Sequence, residues 1–272
     1  MNTYPTQHAL TPTALLLALL LIVPLTFTDA NQTLFLWLNH HGGIPELAAF
    51  WQCVTILGDS LVALALVNLL SLRYPRVLAA GLVAALIATV LSRGLKAGFA
   101  FDRPLAVLGD QVHVIGEALH NFSFPSGHTV TIFVLAGIGI HAIRNPLIQA
   151  ALLLLACLVG GSRVVVGAHW PVDVLFGAAV GYFSAQLGWW IAGRWQWGGS
   201  RQGQQVLAML FWGFALLLFA LKTGYPLAHN LQMLIAVSTS FVGFYAALST
   251  FYPNQRVIPG IMPSFKLVNN RT

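Results

Sequence analysis

The sequence predicts an all-α fold, a polytopic bundle of membrane helices, and three observations carry that prediction. Of 272 residues, 57% are hydrophobic and only 7% are charged, whereas a soluble domain carries about 25% charged residues. Apolar runs of about 20 residues, the length needed to cross a bilayer, recur along the chain. The few charged residues gather in short segments between those runs. The net charge of +6 is therefore a guide to topology and not a sign of nucleic-acid binding. Only two cysteines occur, Cys53 and Cys157, both in apolar runs, so neither a disulfide framework nor a metal or cofactor site is expected.

Ala9 to Phe27 is the first predicted span. No basic segment precedes it and no small-residue cleavage site follows, so it reads as a membrane helix and not as a signal peptide. Residues 29 to 46 are polar and turn-rich, with Leu34 to Leu38 in the interface. Leu47 to Leu72 forms the second span, bent near Gly58-Asp59, and Val77 to Leu95 returns after a basic turn at Arg73 to Arg76. A long polar loop, Lys96 to Pro125, leads to the fourth span, Thr129 to Ile143. Arg144-Asn145-Pro146 turns into the fifth, Leu147 to Gly161, and Val174 to Ala192 is the sixth. A Gly- and Gln-rich turn precedes two more spans, Val206 to Leu221 and Leu227 to Phe251, and a polar tail.

Basic residues orient the bundle. With the N-terminus in the cytoplasm, Arg73, Arg76, Arg144, Arg194, Arg201, Arg256, Lys266 and Arg271 fall inside. Arg93, Lys96, Arg103, Arg163 and Lys222 fall outside. The excess of cytoplasmic cations predicts both termini inside. Trp189, Trp190, Trp195 and Trp197 read as an interfacial belt, and Gly177-x3-Gly181 as a close helix-packing step.

The outer side carries the chemistry. Three fragments stand at the outer ends of spans three to six: Lys96-x6-Arg103-Pro104, Pro125-Ser126-Gly127-His128, and Ser162-Arg163-x5-His169-x3-Asp173. Charged groups are costly at membrane depth, so their concentration marks a functional site. Lys96, Arg103 and Arg163 match the oxygens of a phosphate dianion. Ser126-Gly127-His128 opens a helix whose free N–H groups attract anions, and Gly127 allows close approach. His169 lies four residues before Asp173, with Pro171 suited to a first helical turn. A carboxylate that orients one ring nitrogen leaves the other as a nucleophile. His128 is then placed to protonate the leaving oxygen and activate water.

These fragments together resemble the signature of the type 2 phosphatidic acid phosphatase family, whose soluble relatives are vanadium haloperoxidases and bacterial acid phosphatases. The resemblance covers roughly Arg93 to Ala192. It implies a six-helix core and a phosphohistidine mechanism that needs no metal. It also implies His169 as nucleophile, Asp173 as its partner, His128 as acid and base, and Lys96, Arg103, Ser126, Gly127 and Arg163 as phosphate ligands. The expected organisation is a phosphatase core over residues 1–193, an additional helix pair over 194–252 and a cytoplasmic tail over 253–272.

Several residues stay open. Ser162 either caps its helix or touches phosphate; Arg93 is read as a headgroup anchor, and Asp102 as a partner for a nearby arginine. Asp59 either points to the site or stabilises a helix break. His113, Glu117 and His120 form a solvated loop or a lid, and Trp170 lines a lipid-access cleft or joins the outer belt. Lys222 is an interface anchor.

The expected protein is an integral enzyme of the bacterial inner membrane that hydrolyses a lipid phosphate or pyrophosphate on the extracytoplasmic face. Undecaprenyl pyrophosphate and phosphatidylglycerol phosphate lead as substrates. A lipid phosphotransferase, such as a lipid A modifying enzyme, and a non-catalytic lipid-phosphate transporter are the alternatives, though a transporter would not need both histidines. The bilayer and the lipid substrate are the expected partners, nucleic acid is not, and oligomeric state is open.

Overall fold

The computed structural model describes residues 29–42 and 44–251, so the predicted span Ala9 to Phe27 and the tail fall outside the described residues. Every regular element described is helical: α1 (Ala30–Gly42), α2 (Ala48–Thr55), α3 (Ser60–Ser71), α4 (Arg76–Phe99) and α5 (Pro104–Leu108) come first. They are followed by α6 (Gly127–Ala142), α7 (Pro146–Val165), α8 (Pro171–Ala192), α9 (Gln196–Gly199), α10 (Arg201–Leu217) and α11 (His229–Phe251). Prolines sit in the first turn of α5, α7 and α8, where their missing N–H has no intrahelical partner.

Among the described residues, four helical segments are long and apolar enough to cross a membrane, or five if the bent pair α2 and α3 is one span. Two expected spans fall short for different reasons. The 16 residues of α6 rise about 24 Å, less than the ~30 Å hydrocarbon core. The 17 residues of α10 include Arg201, Gln202, Gln204 and Gln205 in the first turns.

The expected bend near Gly58-Asp59 is present, with α2 and α3 turned by 69°. Asp59 is the N-cap of α3, accepting from the amides of Leu61 at 2.8 Å and Val62 at 3.2 Å, which settles its role as a stabiliser of the break. The stretch read as turn-rich is instead mostly helical. In α1, Phe35 and Asn39 are buried, and Asn39 Nδ2 donates to the carbonyls of His113 and Val165, both at 2.8 Å. Its polar sequence hid the helix, because a side-chain amide fastens it alongside the short apolar face of Phe35, Leu36 and Leu38.

Helix α8 lies at the centre, packed on α4 and α6. Gly177 and Gly181 make this possible: a methyl at Gly177 would lie 2.9 Å from the Ser126 carbonyl oxygen, and one at Gly181 would overlap that of Val130. Close packing is thus the role of the Gly177-x3-Gly181 step. Helices α10 and α11 pack on each other and on α3. Buried Asn68 of α3 donates to the Phe211 carbonyl at 2.9 Å, and Phe211 joins the same core as Val67, Leu78 and Val130.

Candidate active site

Alternation of α4, α6, α7 and α8 puts the end of α4, the start of α6, the end of α7 and the start of α8 together. All the predicted site residues lie there. Lys96, in the last turn of α4, donates through Nζ to the Phe122 carbonyl at 2.6 Å. Arg103, the N-cap of α5, is buried; Nε donates to the Asn121 carbonyl at 2.8 Å and Nη1 to that of Ala168 at 2.9 Å.

Arg103 Nη1 also lies 3.3 Å from His169 Nε2. A guanidinium has no acceptor, so this contact makes Nε2 the accepting nitrogen and leaves the proton of the neutral ring on Nδ1. Nδ1 faces Asp173 Oδ2 at 3.5 Å and Ser123 Oγ at 3.5 Å. The first of these is an electrostatic contact, longer than a well-formed hydrogen bond. Asp173 Oδ2 is occupied by nearer donors, Ser123 Oγ at 2.5 Å and the Trp170 amide at 2.9 Å. Burial holds the His169 pKa well below the ordinary imidazole value; Arg103, Arg163 and Lys96 push the same way, and a hydrogen bond with Ser123 opposes them. The ring is therefore neutral, with its Nε2 lone pair directed toward the arginine.

Ser126 is fully buried at the start of α6, where its hydroxyl accepts from Thr129 Oγ1 at 2.9 Å and its amide donates to the Asp173 carbonyl at 3.1 Å. Its side chain does not cap the helix, so the first amides of α6 remain open to an anion. Gly127 borders open space, since a methyl there would meet nothing within 4 Å. Arg163 is 2% exposed, and its Nη1 donates to Thr55 Oγ1 at 2.6 Å and to Tyr225 Oη at 2.5 Å. His128 Nε2, Arg163 Nε and Asp173 Oδ1 are buried without a hydrogen-bond partner among the described residues. An imidazole nitrogen and a guanidinium N–H left unpartnered beside two further cations are arranged for an anion.

A cavity of about 490 Å³ runs from this cluster between α3, α4 and α6. Lys96, Arg93 and Gly127 stand at its polar end, and Gly81, Val67 and Ile138 at its apolar end. From Gly81 to Lys96 along α4 is about 22 Å. Arg93 thus borders the cavity that leads to the cluster.

The other open residues resolve as follows. Ser162 Oγ donates to the Val159 carbonyl at 2.6 Å within its own helix. Trp170 packs on Phe35, ring centroids 5.1 Å apart, and donates to the Asp102 carbonyl at 2.9 Å. The Asp102 carboxylate makes no ion pair among the described residues, contrary to the expected arginine pairing; its backbone is what is used. The His113 ring lies 5.0 Å from that of His40. Three site hydroxyls were not foreseen, those of Thr55, Ser123 and Tyr225. Ser123 stands two residues before Pro125, and proximity to that fragment was the one available signal. Among the described residues no group of three or more His, Cys, Asp or Glu is placed to hold a metal ion.

The chain is similar to known proteins in sequence and in fold. Residues 76–197 match the PAP2 superfamily. The crystal structure of Aquifex aeolicus LpxE is similar at 31% identity and a TM-score of 0.55, covering 60% of this chain and 96% of that one. A transmembrane PAP2 type phosphatidylglycerolphosphate phosphatase from Bacillus subtilis aligns at 21% identity and a TM-score of 0.48, over 68% of this chain and 96% of that one. The lipid A 1-phosphatase of Porphyromonas gingivalis is 43% identical over 72 residues, 26% of this chain. That match spans 16% of the curated relative's length. The chain belongs to the PAP2 superfamily and is a polytopic protein of the bacterial inner membrane.

Proposed function

We propose that the protein is a membrane lipid phosphatase that removes a phosphate group from a lipid A-type glycolipid at the extracytoplasmic face. One observation carries the reading: Lys96, which stands with Arg103, Arg163 and two imidazoles in one cluster, also lines the polar end of a cavity whose far end is apolar. A phosphate head bound at the cluster would leave an acyl chain to follow the cavity between α3, α4 and α6. The likeness to a lipid A 1-phosphatase supports a lipid A-type substrate over undecaprenyl pyrophosphate and phosphatidylglycerol phosphate, the two lipids the sequence favours.

The chemistry follows from the groups present. His169 Nε2 attacks phosphorus, a P–N bond forms, and the P–O bond to the lipid breaks as His128 gives a proton to the leaving oxygen. Arg103 shifts from Nε2 onto the phosphate oxygens, joining Lys96 and Arg163. The negative charge of the phosphate offsets these cations and lets His128 carry its proton. His128 then takes a proton from water, whose oxygen displaces the imidazole and releases inorganic phosphate. Three cations supply the charge stabilisation, so no metal is required. A second lipid hydroxyl in the place of water would make the same step a phosphotransfer.

Purified protein in detergent should release phosphate from phosphorylated lipid A faster than from undecaprenyl pyrophosphate, phosphatidylglycerol phosphate or phosphatidate. His169→Ala should lower that rate by at least about a thousandfold. Label appearing on a second lipid and never as free phosphate would replace hydrolysis by transfer. Release undiminished in His169→Ala would overturn the mechanism.

A further inference from the structure

The turn between α10 and α11 reaches the candidate active site, although it lies beyond the residues that match the superfamily. Two buried glutamines clamp it. Gln232 Nε2 donates to the carbonyls of Leu218 at 2.8 Å and Leu221 at 2.7 Å, while its Oε1 accepts from Thr223 Oγ1 at 3.1 Å. Gln52, on α2, accepts from the Leu227 amide at 2.9 Å. Buried amides are costly unless satisfied, and these are spent on holding one turn in place.

Half-buried Tyr225 is what the turn presents. Its ring lies edge-on to His128, centroids 6.2 Å apart. Its other neighbour is Gly116, where a methyl would come 2.7 Å from Tyr225 Cε1 and where φ is +100°. Glycine is therefore required at 116 both by its backbone and by the tyrosine beside it. Arg163 Nη1 donates to Tyr225 Oη. Because the guanidinium only donates, the phenol oxygen is the acceptor and its own proton remains free for an anion. That proton has no acceptor among the described residues.

We propose that Tyr225 is a phosphate-binding residue, whose hydroxyl donates to the phosphate oxygen held by Arg163, and that the last helix pair thereby forms part of the catalytic unit. The identity of the ligand as a lipid phosphate rests on the phosphatase reading above; the donor itself concerns any phosphate. Tyr225→Phe keeps the ring against Gly116 and His128 and removes one oxygen.

The test titrates inorganic phosphate into the full-length detergent-solubilised protein by calorimetry and measures release from phosphorylated lipid A in parallel. Tyr225→Phe should weaken phosphate binding and lower kcat/KM by about tenfold or more. In an Arg163→Lys background the same substitution should cost further affinity, because the hydroxyl touches the phosphate itself. Equal phosphate affinity in wild type and Tyr225→Phe, or no further loss in that background, would overturn the inference. Weakened phosphate binding with no lipid hydrolysis by wild type would uphold the donor and remove the phosphatase reading. Hydrolysis unaffected by Tyr225→Phe would do the reverse, and absence of phosphate binding to wild type would remove both.

Discussion

Arginines stand at both ends of this bundle, and they are treated differently. At the end opposite the site, Arg76 lies over the Trp189 ring at 4.4 Å and donates to the Trp189 carbonyl at 2.5 Å, while Arg194 lies over Trp190 at 3.8 Å. These cations rest on aromatic faces where an interface would be, with the aliphatic stems covering apolar surface. At the other end, Arg103 and Arg163 are buried beside Lys96, and the acidic partner within reach, Asp173, is already engaged by Ser123 and Trp170. A cation that anchors is satisfied where it stands. A cation that binds is buried without a counter-charge, and stays so until the ligand supplies one.

Exchanging arginines at the two ends gives the largest effect. Arg163→Ala should lower kcat/KM for lipid phosphate by about a hundredfold or more, since it removes a charged donor from the transferring group. Arg163→Lys should recover part of this, the point charge replacing the fork. Arg194→Ala should change kcat/KM by less than about threefold, because an exposed cation on a ring contributes little. Similar losses from Arg163→Ala and Arg194→Ala would erase the distinction between the two ends.

How much of this was legible in the sequence follows the same division. Lys96, Arg103, His128, Arg163, His169 and Asp173 were legible because charge and imidazole are rare in this chain and phosphate chemistry demands them at short spacings. The Gly58-Asp59 break and the Gly177-x3-Gly181 contact were legible because each is a local steric or capping event. Helix α1 was not, since its apolar face is short and its polar hold on the bundle is the Asn39 amide reaching backbone 74 and 126 residues away. Thr55, Ser123 and Tyr225 were not either. Hydroxyl residues are common at helix ends and in loops, and their selection here depends on contacts that no linear spacing encodes. Only folding brings Tyr225 within reach of Arg163.

The next effect concerns protonation at the cationic end. With its pKa held down by burial and then by the three cations, His169 is neutral in the folded protein at pH values where an unfolded imidazole is already protonated. Between the ordinary value near 6.5 and the lower folded value, the unfolded chain binds the extra proton. Stability therefore falls as pH drops through that window, by up to about tenfold in the folded-to-unfolded ratio per pH unit, and is unaffected by this group above it. Melting temperatures of ligand-free wild type should fall more steeply between pH 7 and pH 5 than those of His169→Gln. Parallel curves would mean that His169 titrates as an ordinary surface imidazole.

The smallest effect tests the hydroxyl that separates the two residues expected to work as a pair. Ser123 Oγ donates to Asp173 Oδ2 at 2.5 Å, and the same carboxylate oxygen lies 3.5 Å from His169 Nδ1. The serine therefore shares the oxygen that would orient the nucleophile and fixes its direction. Ser123→Ala removes a charge-assisted hydrogen bond of roughly 1.5–3 kcal/mol, but the Trp170 amide still holds Asp173 at 2.9 Å. Part of the loss is recovered if the freed carboxylate closes on Nδ1. The expected result is a kcat lowered about tenfold with KM unchanged, well short of Asp173→Asn, in which the ring loses its negative partner altogether. If Ser123→Ala matched Asp173→Asn, the serine would be the group that orients His169, and the carboxylate would act through it.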